Sequence, residues 1–413
     1  SRYLGPLHGV PIAVKDLCFT AGVRTTGGSA VRRDFVPTFD ATVVQRLETA
    51  GAVLLGKLAT TEGAMAGYNP EFEVPRNPWG EELWPGVSSG GSGVGVGGGL
   101  CFAALGTDTG GSIRYPSGMN GIVGLKPTWG RVSRYGVLDL APSLDHVGPM
   151  TRGVADAAIV LRAIAGADPD DPTALADPVP DYVADLDRGI AGMRIGYDQR
   201  YATEGVAPAL ASAIRTALDV LERQGAKIVE VEIPPRAIEQ NALLAWQVLC
   251  AAEASAVHQA TYPSQAESYG PWFRFWLGFG ASVTGAQYAA AHRQRLETSG
   301  AIRTALREVD VLACPTVATE PFPYDRAGVF VPPDSAAATS AGVPLDWFQR
   351  SSRFTIPWDY NGWPTLSMPC GATAEGLPLS LQLVGHPLTE GTLLRAGHAY
   401  ESATEWHRRH PAV

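Results

Sequence analysis

Lysine is almost missing from this chain: of 32 basic residues only Lys15, Lys57, Lys126 and Lys227 are lysines. Any chemistry that needs a neutral amine therefore has a short list of candidates. Cysteine is scarce as well. Cys18, Cys101, Cys250, Cys314 and Cys370 are far apart, odd in number and free of any C-x-x-C pair, which argues against a disulfide framework or a thiolate zinc site and for a reducing, cytoplasmic setting. Long apolar runs are absent. The best candidate, Val94 to Gly106, falls short of the roughly 18 to 20 residues a spanning helix needs and is broken by glycine, so no membrane span is expected. Positive charge is not in excess either: 41 acidic residues leave a net charge of −9, against the clustered Lys and Arg of a broad nucleic-acid surface. The chain opens Ser1-Arg2-Tyr3, without the basic and apolar regions of a secretory leader, and a start without Met points to residues upstream.

What is abundant is glycine, 47 residues, concentrated between Gly86 and Gly118. That stretch also carries the apolar run Leu100 to Leu105, so it is no flexible linker, and its glycines are expected to do a backbone job. Two serines stand beside them, Ser88 in Gly-Val-Ser-Ser-Gly-Gly and Ser112 in Thr-Asp-Thr-Gly-Gly-Ser-Ile-Arg.

Around this stretch the pattern reads as α/β. The run His8 to Val14 is a short strand that delivers Lys15 and Asp16 at its end, the usual place for a functional residue in such a fold. Asp40 to Ala50 predicts a helix capped by Asp40 and Ala52 to Leu55 a strand. Leu100 to Leu105 is left open between helix end and strand, Ile122 to Leu125 reads as a strand and Val154 to Ala165 as a helix. An acidic, proline-rich connection over 166–190 separates a first half, 1–165, from a second, 191–413, within one expected domain of 1–413. Beyond it, Met193 to Tyr197, an amphipathic stretch from Pro208 to Gln224 and Lys227 to Ile233 form a β-α-β pattern. Ala242 to Arg307 reads as mostly helical, Val309 to Cys314 and Leu377 to Gly385 as strands, and Val331 to Pro364 as an aromatic-rich loop.

Three motif matches fail on context. Gly86 to Gly90 fits the G-x-S-x-G elbow, yet no apolar strand precedes it. Gly93, Gly95 and Gly98 fit a dinucleotide fingerprint with the same fault. Gly51 to Lys57 resembles a P-loop, but Leu58 stands where that loop needs Ser or Thr. A Ser-x-x-Lys nucleophile is excluded, because Ile12, Leu54, Val123 and Gln224 precede the four lysines by three positions. Histidine-assisted serine chemistry stays open, although no spacing singles out a histidine.

A serine hydroxyl must lose its proton to a positioned partner as it attacks a carbonyl. Lys15 is a candidate for that partner if burial keeps its amine neutral, Ser88 is a candidate relay, and Thr109-Gly110-Gly111 before Ser112 can supply backbone N–H groups to an oxyanion.

These residues resemble the amidase signature hydrolases. The resemblance rests on Pro85 to Ser92, Gly106 to Arg114 and Gly124 to Thr128, with Gly9 to Asp16, Gly56-Lys57, Cys314-Pro315-Thr316 and Gly376 to Leu383 beside them, and so spans nearly the whole chain. It implies a large mixed, twisted β-sheet flanked by helices on both faces, and a catalytic Ser112, a bridging Ser88 and a base Lys15. Ser112 follows Ser88 by 24 positions, the family's separation. It further implies an oxyanion hole at Thr109, Gly110, Gly111 and Ser112, an acyl pocket near Ala64 and Met65, supporting roles for Ser89, Asp108 and Arg114, and a cis peptide before Ser88. Val87 stands there in place of the family's usual glycine. Asp108 and Arg114 read as a brace for the loop, and Lys57 and Lys126 as structural.

The expected function is hydrolysis of an amide, ester or carbamate of an apolar or aryl small molecule through an acyl-serine, with no metal or cofactor, by a monomer or homodimer. The alternative is the glutaminase (A) subunit of an aminoacyl-tRNA amidotransferase, which Gly124 to Pro149 resembles. That subunit's usual Gln is replaced here by Tyr115, and its usual Ala-Ala-Phe-Cys by Ser117 to Asn120. A non-catalytic binding protein is the third.

Overall fold

In the computed structural model, which describes residues 3–238, 240–330, 339–340 and 342–412, short apolar runs from both halves join one ten-stranded sheet. Its strands come from β1 (Pro11–Lys15), β2 (Val53–Leu58), β3 (Ala103–Asp108), β4 (Val123–Lys126), β5 (His146–Thr151), β6 (Arg194–Tyr197), β7 (Lys227–Glu230) and β8 (Val311–Pro315). After a separate pair, β9 (Thr339–Ser340) and β10 (Val343–Pro344), the sheet is completed by β11 (Thr365–Ala372) and β12 (Pro378–Gly385). The order is β2-β1-β3-β5-β4-β11-β12-β8-β6-β7. Strands β1 to β5 thus form one side of the sheet, the later strands form the other, and the antiparallel pairing of β4 with β11 joins them.

β1 runs parallel to β2 and β3, and β6 parallel to β7 and β8, while the centre is antiparallel. Every residue of β3, β5 and β12 is buried, the mark of strands covered on both faces, and the reason β12 reads as a continuous apolar run without alternation. The covering helices are α1 (Thr42–Thr49), α2 (Gly90–Gly97), α3 (Arg114–Asn120), α4 (Val154–Ile164), α5 (Gln199–Thr203) and α6 (Pro208–Arg223). They continue with α7 (Pro235–Ile238), α8 (Gln240–Val257), α9 (Pro271–Ser282), α10 (Gly285–Ala305), α11 (Leu345–Ser352), α12 (Ile356–Tyr360) and α13 (Glu390–Ser402). α6 shows why periodicity works where it does: Pro208 opens it, and Leu210, Ile214, Ala217, Leu218 and Leu221 bury one stripe.

Several expectations need correction. The cap of α1 is Ala41, because the Asp40 carboxylate accepts the Ala21 N–H at 2.6 Å and leaves the helix end alone. The run from Leu100 becomes strand only at Ala103, and Leu100 and Phe102 lie exposed. Within Val331 to Pro364, residues 331–338 and 341 lie outside the described residues. The remainder holds helices α11 and α12 where a loop is expected.

Candidate active site

The site forms at the carboxyl ends of β1 and β3, the edge where parallel strands present their loops. Lys15 is the last residue of β1, and Thr107 lies one residue before the end of β3. Ser88 and Ser89 stand immediately before α2, and Ser112 lies between β3 and α3. The Val87–Ser88 peptide is cis, with valine in the position before the serine.

Lys15 is fully buried. Its Nζ lies 2.7 Å from Ser88 Oγ, 2.9 Å from Ser89 Oγ and 2.8 Å from Thr107 Oγ1. No carboxylate touches it among the described residues, so burial dominates and lowers its pKa to about 7, against the upward pull of Asp108, Cys18 and Asp145 at longer range. Lys126 provides the internal comparison. It is equally buried and also falls to about 7 through burial, but its Nζ lies on the carbonyl oxygens of Trp363 (2.7 Å) and Pro127 (3.3 Å) and beside His146 Nε2 at 3.1 Å. It meets no hydroxyl among the described residues. Lys57 bonds Thr25 and the Cys18 carbonyl and faces Asp16 at 3.4 Å, and Lys227 is exposed.

A histidine base is disfavoured by the same accounting. Since the Asp108 carbonyl only accepts, His146 Nδ1–H donates to it at 3.2 Å, which leaves Nε2 to accept from Lys126. Burial, then Lys126, hold this imidazole well below its ordinary pKa, and both ring nitrogens are occupied.

Ser89 Oγ donates to the Thr107 carbonyl at 3.1 Å and accepts the Thr107 N–H at 3.2 Å, so its proton is committed away from Lys15. The Ser89 N–H reaches the Ser112 carbonyl at 3.3 Å, and Thr60 Oγ1 donates to the Ser88 carbonyl at 3.1 Å. Ser112 is half-buried, and its Oγ makes no hydrogen bond among the described residues.

Asp108 braces the loop that carries Ser112. Its carboxylate accepts the N–H groups of Gly111 (2.6 Å) and Ile113 (2.9 Å) and two donors of the Arg114 guanidinium, at 3.0 and 2.8 Å. Burial would raise its pKa, but Arg114 and these donors hold the carboxyl well below the usual range. Arg114 also reaches Asp359 at 2.7 Å and the Thr355 carbonyl at 2.9 Å. The reading of Thr109 to Ser112 as four equivalent donors is narrowed here: the Gly111 N–H goes to Asp108, whereas those of Thr109, Gly110 and Ser112 have no acceptor among the described residues. Gly111 has φ +130°, and a Cβ there would lie 2.5 Å from the Tyr115 ring, so only glycine fits.

A cavity of about 560 Å³ lies near this loop; none of residues 109–112 lines it, but Val87, next to Ser88, and Trp246, packed against Gly110, do. Met65, Val87 and Tyr115 line it from the first half and Trp246, Trp272 and Phe348 from the second, and no charged residue lines it among the described residues. Ala64, expected beside Met65, instead borders a small separate void with Thr107, Asp145 and His146, in the left-handed conformation at φ +62°. Five supporting residues escape the sequence reading: Thr60, Thr107, Trp246, Thr355 and Asp359. Only Thr107, inside Gly106 to Arg114, lies in a recognisable motif.

The amidase family model matches residues 1–394. AmiD of Mycobacterium tuberculosis is 42% identical over all of this chain and 83% of its own length. The glutamyl-tRNA(Gln) amidotransferase (A) subunit of a Roseiflexus species is 42% identical over 98% of this chain and 85% of its own. The crystal structure of a peptide amidase from Stenotrophomonas maltophilia superposes with a TM-score of 0.82 at 32% identity, covering 99% of this chain and 85% of that one. The chain belongs to the amidase signature family, hydrolases that act on carbon–nitrogen bonds other than peptide bonds.

Proposed function

We propose that this enzyme cleaves the amide bond of an uncharged apolar or aryl small molecule through an acyl-Ser112 intermediate, with Lys15 as base and Ser88 as relay. The observation that carries the reading is the buried contact of Lys15 with Ser88 near a cavity lined by aromatic and no charged side chains among the described residues. A neutral amine has two N–H donors and one lone pair. Ser89 has already given its proton to a carbonyl and can only accept, so the lone pair is met by a hydroxyl of Ser88 or Thr107, and Ser88 adjoins the segment bonded to Ser112.

In the first step Ser112 Oγ bonds to the carbonyl carbon while its proton passes to Ser88 Oγ and the Ser88 proton to Lys15. The oxyanion is received by the N–H groups of Gly110 and Ser112. Collapse breaks the C–N bond, and the leaving nitrogen takes its proton back through Ser88 from the Lys15 ammonium. Water then enters by the same relay and releases the acid. The missing hydrogen bond at Ser112 Oγ is compatible with this path, since such contacts often tighten only when substrate is bound.

The glutaminase reading is favoured by the 42% identity to a component of an amidotransferase. Glutamine, however, carries an α-carboxylate and an α-ammonium, and the cavity wall offers no charged partner for either among the described residues. A panel of anilides, aliphatic amides, esters, carbamates and glutamine, run on wild type and Ser112→Ala, separates the readings. Neutral aryl substrates are expected to give the highest kcat/KM, with a loss on the order of 10³-fold or more in Ser112→Ala. Preference for compact charged substrates would sink the apolar reading, and tRNA-dependent glutamine use with a co-purifying second protein would replace it.

A further inference from the structure

We propose that Trp246 is a positioning residue for the oxyanion site: its indole N–H fixes the Thr109–Gly110 peptide so that the Gly110 N–H faces the substrate carbonyl. The inference rests on the acyl-serine reading above. In a trans peptide the carbonyl of one residue and the N–H of the next point in opposite directions, so whatever holds the oxygen also aims the hydrogen.

Both peptides that meet at Gly110 are held by their oxygens. Trp246 Nε1 donates to the Thr109 carbonyl at 2.9 Å, and Thr355 Oγ1 donates to the Gly110 carbonyl at 2.8 Å. The consequences differ. The N–H opposite the Gly110 carbonyl is that of Gly111, which finds Asp108 at 2.6 Å. The N–H opposite the Thr109 carbonyl is that of Gly110, a buried residue, and it has no acceptor among the described residues. Buried N–H groups without a partner are rare in folded proteins and costly. One turned outward beside Ser112 by a bond on its own peptide is poised for an acceptor that the chain does not supply.

The indole also fixes the loop sterically. A Cβ on Gly110 would lie 2.6 Å from Trp246 Cζ2 and 2.9 Å from Cε2, so the ring rests against bare backbone. The same ring is part of the cavity wall, 6.2 Å from the Trp276 ring and 5.9 Å from that of Phe348, centroid to centroid. One residue of α8 therefore touches both the space for the substrate's apolar part and the donor for its oxyanion. An apolar group seated against the indole bears on the aim of the Gly110 N–H, so the fit of that group is felt in kcat as well as in KM.

The test compares wild type with Trp246→Phe and with benzothienylalanine at 246, in which sulfur replaces Nε1–H and ring volume is kept, using a small acyl ester that leaves the cavity wall untouched. Its thiono counterpart, with sulfur in place of the carbonyl oxygen, is measured alongside. The expected result in both variants is a kcat lower by tenfold or more at nearly unchanged KM, and a reduced preference for the oxo over the thiono ester, because sulfur profits little from a well-aimed N–H. Unchanged kcat and oxo/thiono ratio in either variant would overturn the proposal, and the isosteric replacement decides the matter if Trp246→Phe does not fold. A serine-directed phosphonate keeps the two readings apart: if it fails to label Ser112 in wild type, the acyl-serine reading falls, whereas labelled Ser112 with an unmoved ratio removes only the role of Trp246.

Discussion

Lys15 is placed where its charge is unwelcome: burial lowers its pKa to about 7, far below the ordinary 10.5, and Lys126 is lowered in the same way. A base held near working pH suits proton transfer, and it carries a thermodynamic signature. Above pH 7 the folded chain releases these two protons while the unfolded chain keeps them until pH approaches 10.5, so at these two groups the unfolded state binds more protons and their contribution to stability rises with pH. The buried carboxyls of Glu62, Asp145 and Glu401, each raised to about 7, and of Asp359, raised further by burial, oppose this around pH 7. The five buried cysteines oppose it where unfolded thiols titrate, from about pH 8.5. The lysine contribution is therefore read between these limits as a difference between wild type and variant. There each lysine contributes a slope of up to about 1.4 kcal/mol per pH unit. Urea unfolding across this range is expected to show a slope lower in Lys15→Met than in wild type by up to about 1.4 kcal/mol per pH unit, and an unchanged slope would mean that Lys15 keeps its proton when folded. In the same variant kcat should fall on the order of 10² to 10⁴-fold, and the rise of kcat/KM through pH 7 that a base with the pKa of Lys15 predicts for wild type should vanish.

At the scale of elements, α2 is the case in which composition misleads. Gly90 to Gly97 holds five glycines, and helix propensity alone argues against a helix. The helix forms because neighbouring backbone comes too close for side chains. A Cβ at Gly91 would meet the backbone N and O of Ala59 at 2.5 Å each, and the Gly91 N–H donates to that same Ala59 oxygen at 3.0 Å. At Gly95 the nearest atoms would be side-chain carbons of Leu58 at 3.4 Å, an ordinary contact. Propensity offers either alanine about 1 kcal/mol, while forcing backbone apart costs about 1 to 3 kcal/mol or more. Gly91→Ala is therefore expected to destabilise by about 1 to 2 kcal/mol and Gly95→Ala to stabilise by up to about 1 kcal/mol in denaturant midpoints. Stabilisation in both would show that propensity, not packing, governs α2. The same reasoning marks what sequence patterns can read. α6 and β12 carry their period or apolar run openly, whereas β5 and β11 hide behind Pro149 and Pro369, and α11 and α12 behind their aromatic residues and Pro357.

For the whole molecule, the legible part of the site is the part that is local in sequence. Ser88, Ser112 and Lys15 stand in short motifs, but the groups that hold their loop come from far away: Trp246 lies 137 positions from Thr109, and Asp359 lies 245 from Arg114. No spacing rule reaches across such distances, because the contacts exist only in the folded chain, in which β4 pairs with β11. Arg114 is the clearest of these ties. It is fully buried, as are its two carboxylate partners, Asp108 at 2.8 Å on β3 and Asp359 at 2.7 Å on α12. One cation thus serves two anions, and the halves of the pair are not equivalent. Removing Arg114 leaves both carboxylates buried without a countercharge and frees the loop that Asp108 braces, so Arg114→Met is expected to cost about 3 to 5 kcal/mol. Asp359→Asn leaves the Arg114–Asp108 pair intact and keeps a polar group in place, so its cost should stay below about 1.5 kcal/mol. Burial already pushes the Asp359 carboxyl well above its ordinary pKa, which lowers the loss further. Thermal unfolding of the two variants checks this asymmetry; equal losses would mean that Asp359, not Asp108, is the partner that holds the buried guanidinium and joins the two sides of the sheet.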